Sequence, residues 1–181
     1  MNIYSVGSDY ENYRFLLPVD DECGVVDTDG SSLIQGWQSV DYFLFKDPRR
    51  KNDKRRIDFI ASCYHPGVLI IDGNYRNLIV ELAKVKVEFL EISTPELPRK
   101  FYIANIIESI HAIDDEGLSS EQFMSLFRAG EMKFNSEIIN DKKIFRDKKY
   151  NNLYFCTPQF VDEISRANIT GLKFNVKGTA P

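Results

Sequence analysis

Cys63 and His65, two residues apart in the stretch SCYHPG, are the nearest cysteine and histidine to one another in the sequence. A thiol beside an imidazole could serve as a nucleophile and its base. Their spacing argues against it. On an extended strand, positions i and i+2 lie about 6–7 Å apart on one face, too far for a direct hydrogen bond. The stretch reads as a strand end with an inward thiol and a turn histidine. A zinc site needs clustered Cys or His at short spacing, and no second pair follows this one. The segment DTDGSSL (27–33) begins like a calcium loop, but Gln38 stands where the closing Glu is required. Asp20-Asp21-Glu22 and Asp114-Asp115-Glu116 are adjacent acids of the kind found in solvated turns. A working acid–base pair needs two different environments. The phosphate-loop, dinucleotide, nucleophile-elbow and HExxH signatures are missing. No catalytic residue, metal or cofactor is expected, and an enzyme using Cys63 and His65 is the less favoured alternative.

Two charge runs offer binding instead. PRRKNDKRR (48–56) holds six cations and one Asp, which suits nucleic acid or simply a solvated loop. The chain as a whole carries −4, with a pI near 5.3, so the solvated loop is favoured and a nucleic-acid-binding regulator is the alternative. Residues 1–30 carry seven acids and one base, Arg14. Such a face can steer a basic partner toward the protein. The first residues lack the basic-then-apolar order of a secretory signal, and no apolar run reaches the roughly 18 residues of a membrane span. The expected location is the cytoplasm. Cys23, Cys63 and Cys156 are odd in number and far apart, which argues against a disulfide framework.

At 181 residues the chain suits one domain, with a β-rich part over 1–56 and a second part over 57–181. Strands are expected at 2–6, 13–17, 40–45, 57–63, 68–71 and 86–92. Residues 101–114 lean to strand because β-branched residues are dense there. Ser119 and Gln122 form a capping box before Phe123, Leu126 and Phe127, and Gly130 stops that helix. EIIN (137–140) and KIFR (143–146) read as short β pieces.

Two stretches align without a gap. In the first, Asp72 caps a helix whose apolar face is Tyr75, Leu78, Ile79 and Leu82. In the second, YFCTPQFVDEISRANITGLKFNV (154–176), Thr157 is the N-cap, Pro158 sits at N1 and Gly171 follows the helix. Tyr75 falls on Phe160, Ile79 on Ile164, Val87 on Leu172 and Phe89 on Phe174. The expected fold is therefore α+β: a mixed, mainly antiparallel sheet with two similar strand–helix–strand units and few short helices.

Several of these stretches carry a family likeness. Trp37 follows a Gly-containing turn, and Asp58-Phe59 precedes an apolar strand. VLIIDGNYRNLIVELAKVKVEFLEI, FYIANIIESIHAIDDEGLS and the C-terminal unit with Gly171 to Phe174 follow in order. Over most of residues 37–176 the chain resembles immunity family eleven of bacterial polymorphic toxin systems, formerly a domain of unknown function. The resemblance implies a non-enzymatic antitoxin that binds a cognate toxin encoded nearby. For such a role, residue type and location nominate Tyr4, Tyr10, Tyr13, Trp37, Asp20, Asp21 and Glu22 as contact residues. Nucleic acid and membrane are not the expected partners.

Overall fold

The computed structural model describes residues 1–19, 26 and 28–181. Asp20, Asp21, Glu22 and Cys23 lie outside the described residues, as does Asp27.

The described strands form two six-stranded sheets. The first contains β1 (Asn2–Ser8), β8 (Ser109–Ile110), β9 (Met132–Lys133), β10 (Ile144–Asp147), β11 (Phe155–Cys156) and β12 (Leu172–Thr179). Its order is β8-β10-β11-β1-β12-β9. The second contains β2 (Leu16–Pro18), β3 (Val40–Leu44), β4 (Ala61–Ser62), β5 (Leu69–Asp72), β6 (Val87–Ser93) and β7 (Phe101–Ile106). Its order is β2-β3-β6-β7-β5-β4. Each sheet is mixed and mainly antiparallel. Four short α-helices are described, α1 (Arg76–Ala83), α2 (Ser120–Ala129), α3 (Ser136–Ile139) and α4 (Pro158–Arg166), and a 3-10 turn over Gly73–Tyr75, capped by Asp72, leads into α1. The class is α+β, with its strands divided between two sheets.

The two aligned units have the same topology. β5 and β6 both run antiparallel to β7, which lies between them. β11 and β12 both run antiparallel to β1, which lies between them. Each unit is therefore a parallel strand pair, joined through a helix and split by one antiparallel strand. The matched side chains reach the same place. Ile79, Phe160 and Ile164 are buried in one central cluster, and Tyr75, Val87, Phe89, Leu172 and Phe174 pack against it. Because side chains alternate across a strand, Leu69 and Ile71 of β5 face this cluster while Ile70 faces another. Cys156 and Phe155 of β11 divide in the same way between the central cluster and an outer one.

The sheets are joined where β1 meets β4. The Ser8 and Ser62 hydroxyls are 3.2 Å apart, and the Cys63 N–H donates to Ser8 Oγ at 2.7 Å. The N–H groups of Ile60 and Ala61 both donate to the Thr170 carbonyl. Gly171 follows at φ +99°, and a Cβ there would collide with the Ala61 carbonyl. Glycine is required on both counts.

Some expectations need correction. Residues 57–63 hold only the two-residue β4, because Ile60 and Ala61 bond to the Thr170 turn as the chain approaches that strand. The strand expected at 13–17 starts at Leu16; Tyr13 makes an isolated bridge to Arg56. EIIN falls largely in α3, because Asn135 caps it by accepting from the N–H groups of Glu137 and Ile138. Thr157 holds the N-cap position, yet its side chain makes no capping bond. Its hydroxyl lies 3.5 Å from the Lys143 carbonyl instead. The Ser119–Gln122 capping box is present with both reciprocal bonds.

Candidate functional site

The Cys63 thiol is buried, and burial pushes its pKa up to about 12. Its sulfur lies near two backbone carbonyls, Val6 O and His65 O. Cys156 is also buried, and burial raises its thiol well above the usual range. Neither is a thiolate near neutral pH, so neither is an activated nucleophile. His65 packs its ring edge-on against Tyr64, not against a thiol. Among the described residues, no group of three or more His, Cys, Asp or Glu is placed to hold a metal.

The densest buried polar cluster surrounds Arg146 of β10, which is 0% exposed. Its guanidinium donates to the carbonyls of Asn151, Gly67 and Ile106, and to the Tyr154 hydroxyl. It lies 4.0 Å from the centre of the Tyr154 ring. Burial pulls its pKa down, while Tyr154 acts in the opposite direction. No carboxylate among the described residues forms an ion pair with it. Gly67, at φ +74°, brings its carbonyl in by approaching Asn152 too closely for any Cβ. This cluster fastens loops to the sheets, and its full burial places it out of reach of a partner.

Segment 31–37 is held on β6. Buried Glu88 accepts from Ser32 Oγ at 2.6 Å and from the N–H groups of Leu33 and Ile34. Burial would raise its pKa, but these bonds and Lys86 outweigh it and the net shift is downward. Trp37 donates its indole N–H to the Glu91 carbonyl at 2.9 Å. It is half-buried and lines a groove of about 570 Å³ with Val19, Leu33 and Val40.

The other nominated residues are dispersed. Tyr13 is buried, with Arg56 4.9 Å from its ring centre. Tyr4 is half-buried against the central cluster. Tyr10 is 49% exposed. The structure thus leaves Tyr10 and Trp37 accessible and turns Tyr13 inward.

Beside Tyr10 stands Tyr64, 46% exposed, which lies between Cys63 and His65 in sequence and has no motif of its own to mark it. Tyr64 stacks on Phe15 at 3.9 Å, nearly parallel, and Phe15 stacks on Phe45 at 5.1 Å. A cleft of about 240 Å³ lies between Tyr10 and Tyr64, with Gly7, Ser8, Cys63, Lys173 and Asn175 as its other walls. Lys173 and Asn175 come from β12, which no short-range pattern could have linked to Tyr64.

Three of the six cations of the basic run are forked onto carboxylates. Arg49 pairs with Asp47, Arg55 with Asp53 and Arg56 with Asp58, at 3.0, 2.7 and 2.6 Å. Asp53 has no exposed side-chain surface because the arginines of its own segment cover it. The hydrogen bonds from Arg55 hold its carboxyl well below the usual range. Arg14 adds an ion-pair contact at 3.4 Å, with its Nε not aligned for a hydrogen bond. A guanidinium already forked onto a carboxylate has little left to offer phosphate.

The profile of the immunity protein family, Imm11, matches residues 34–179. The chain belongs to this family. No curated protein matches the chain. The family match begins in the segment that Glu88 secures and ends with β12, so it takes in both strand–helix–strand units. No described helix is long and apolar enough to cross a membrane.

Proposed function

We propose that the protein neutralises a cognate bacterial toxin by binding it, with no covalent step of its own. Membership of the immunity family carries this reading. The two described thiols, Cys63 and Cys156, support it, since both are buried and protonated and neither is an activated nucleophile. The toxin would be a domain encoded nearby within a polymorphic toxin system and met in the cytoplasm. A stable inhibitor interface covers about 1,600 Å² in total and depends on a few aromatic or charged anchors. Tyr10 and Trp37 are the nominated anchors that the fold leaves accessible.

Co-expression tests the reading. Cells producing the neighbouring toxin domain should grow only when this protein is also made, and the two should co-purify. Failure of every neighbouring toxin domain to bind at about micromolar concentration would contradict it.

A further inference from the structure

We propose that the cleft between Tyr10 and Tyr64 seats one aromatic side chain of the toxin, beside a toxin carboxylate that takes Lys173. The proposal rests on the immunity reading above.

Size is the first argument. At about 240 Å³, the cleft falls below the roughly 300–1,000 Å³ of pockets that enclose whole small molecules. At about 30 Å³ per water it holds about eight waters, a volume suited to one ring-bearing side chain.

Stiffness is the second. Tyr64 is backed by the Phe15 and Phe45 stack and touched edge-on by His65. The Tyr10 carbonyl is held by Arg55 Nη1 at 3.1 Å, and Arg55 is itself fixed by Asp53. The Tyr64 ring is therefore a stiff wall that loses little freedom on binding, and the backbone that carries Tyr10 is fixed.

Charge is the third. Among the described residues, Lys173 is the only formally charged one lining the cleft. Its ammonium lies 3.3 Å from Glu11 and 5.9 Å from the Tyr10 ring centre. Glu11 is exposed and Lys173 half-buried, and pairs so open to solvent contribute little. Exchanging Glu11 for a partner carboxylate is therefore easy. A second copy is a poor occupant, because a two-fold contact through the cleft would bring one Lys173 toward the other. A single-stranded nucleobase could stack on the tyrosines, but the arginines beside them are tied to Asp47, Asp53 and Asp58.

The test titrates the full-length protein against the toxin domain that co-purifies with it. Tyr10→Ala and Tyr64→Ala should each weaken binding on the order of tenfold or more. Tyr64→Phe, which keeps the ring, should bind like the wild type. Lys173→Glu should weaken binding, and Val80→Ala, at an exposed position on α1, should not. Thermal unfolding of each variant identifies any that fails to fold. Tyr10→Ala removes a side chain that is half exposed, so it keeps the test decisive if Tyr64→Ala unfolds. Unchanged affinity in folded Tyr10→Ala and Tyr64→Ala overturns the cleft and leaves the immunity reading standing. Failure of the wild type to bind any neighbouring toxin overturns both. Binding of a single-stranded oligonucleotide that requires the two tyrosines, with toxin affinity unaffected by them, also overturns the proposal.

Discussion

Cys63 has the type and neighbours of a reactive residue and the surroundings of an inert one. Its thiol, pushed up to about 12, stays protonated across the physiological range. Alkylation followed by peptide mapping should leave Cys63 and Cys156 unmodified in the native protein and modify both after unfolding. Cys63→Ala should preserve protection and cost about 1–2 kcal/mol of stability, the ordinary range for a small change in a packed site. Arg146 is the opposite case: within KIFR it has no marked neighbour in sequence, yet it is a fully buried charge. Arg146→Ala would take the Arg146 donor from the Asn151 carbonyl and leave the Gly67 carbonyl to the Thr28 hydroxyl. Urea unfolding should show a loss of about 1–3 kcal/mol for each buried acceptor left unsatisfied. Arg146→Lys should rescue only part of this, because an ammonium cannot fork across those acceptors. Sequence could not flag Arg146, since its acceptors come from residues 67, 105–106, 151 and 154, brought together only by the fold.

At the scale of elements, local chemistry was legible wherever a pattern closes on itself. The Ser119 capping box, the helix stop at Gly130 and the phase of both strand–helix–strand units are present in the structure. Legibility ended where a distant partner decides the outcome. Residues 57–63 are apolar enough for a long strand, but the Thr170 turn takes their N–H groups. Gly171 was read as a helix stop, yet its larger role is to let two sheets touch. Gly171→Ala should destabilise by about 1–3 kcal/mol from backbone conformation alone, and further through the clash with Ala61. Glu88 gives a pH-dependent counterpart. Its folded pKa is depressed, so its contribution is complete above the unfolded value of about 4.3 and is lost as pH falls through the lower folded value. Glu88→Gln should therefore destabilise the protein at pH 7. Its deficit relative to wild type should shrink in urea melts taken at successively lower pH.

At the scale of the molecule, both strand–helix–strand units pack into the same central cluster. The alignment of the two stretches in sequence thus has a physical counterpart: each supplies one helix to the same core. The nominated binding residues fared differently, because aromatic type does not specify exposure. Tyr13 went inward, Tyr10 stayed out, and Tyr64 joined Tyr10 across a cleft completed by β12. The central claim is neutralisation by binding alone, and stoichiometry tests it most directly. A fixed amount of toxin domain is mixed with increasing amounts of the purified protein, and the residual toxin activity is followed over time. Inhibition by binding predicts that activity falls in proportion to added protein, reaches its floor at a fixed mole ratio and does not change with further incubation. Progressive silencing of excess toxin by substoichiometric protein would contradict the account, since only turnover could produce it.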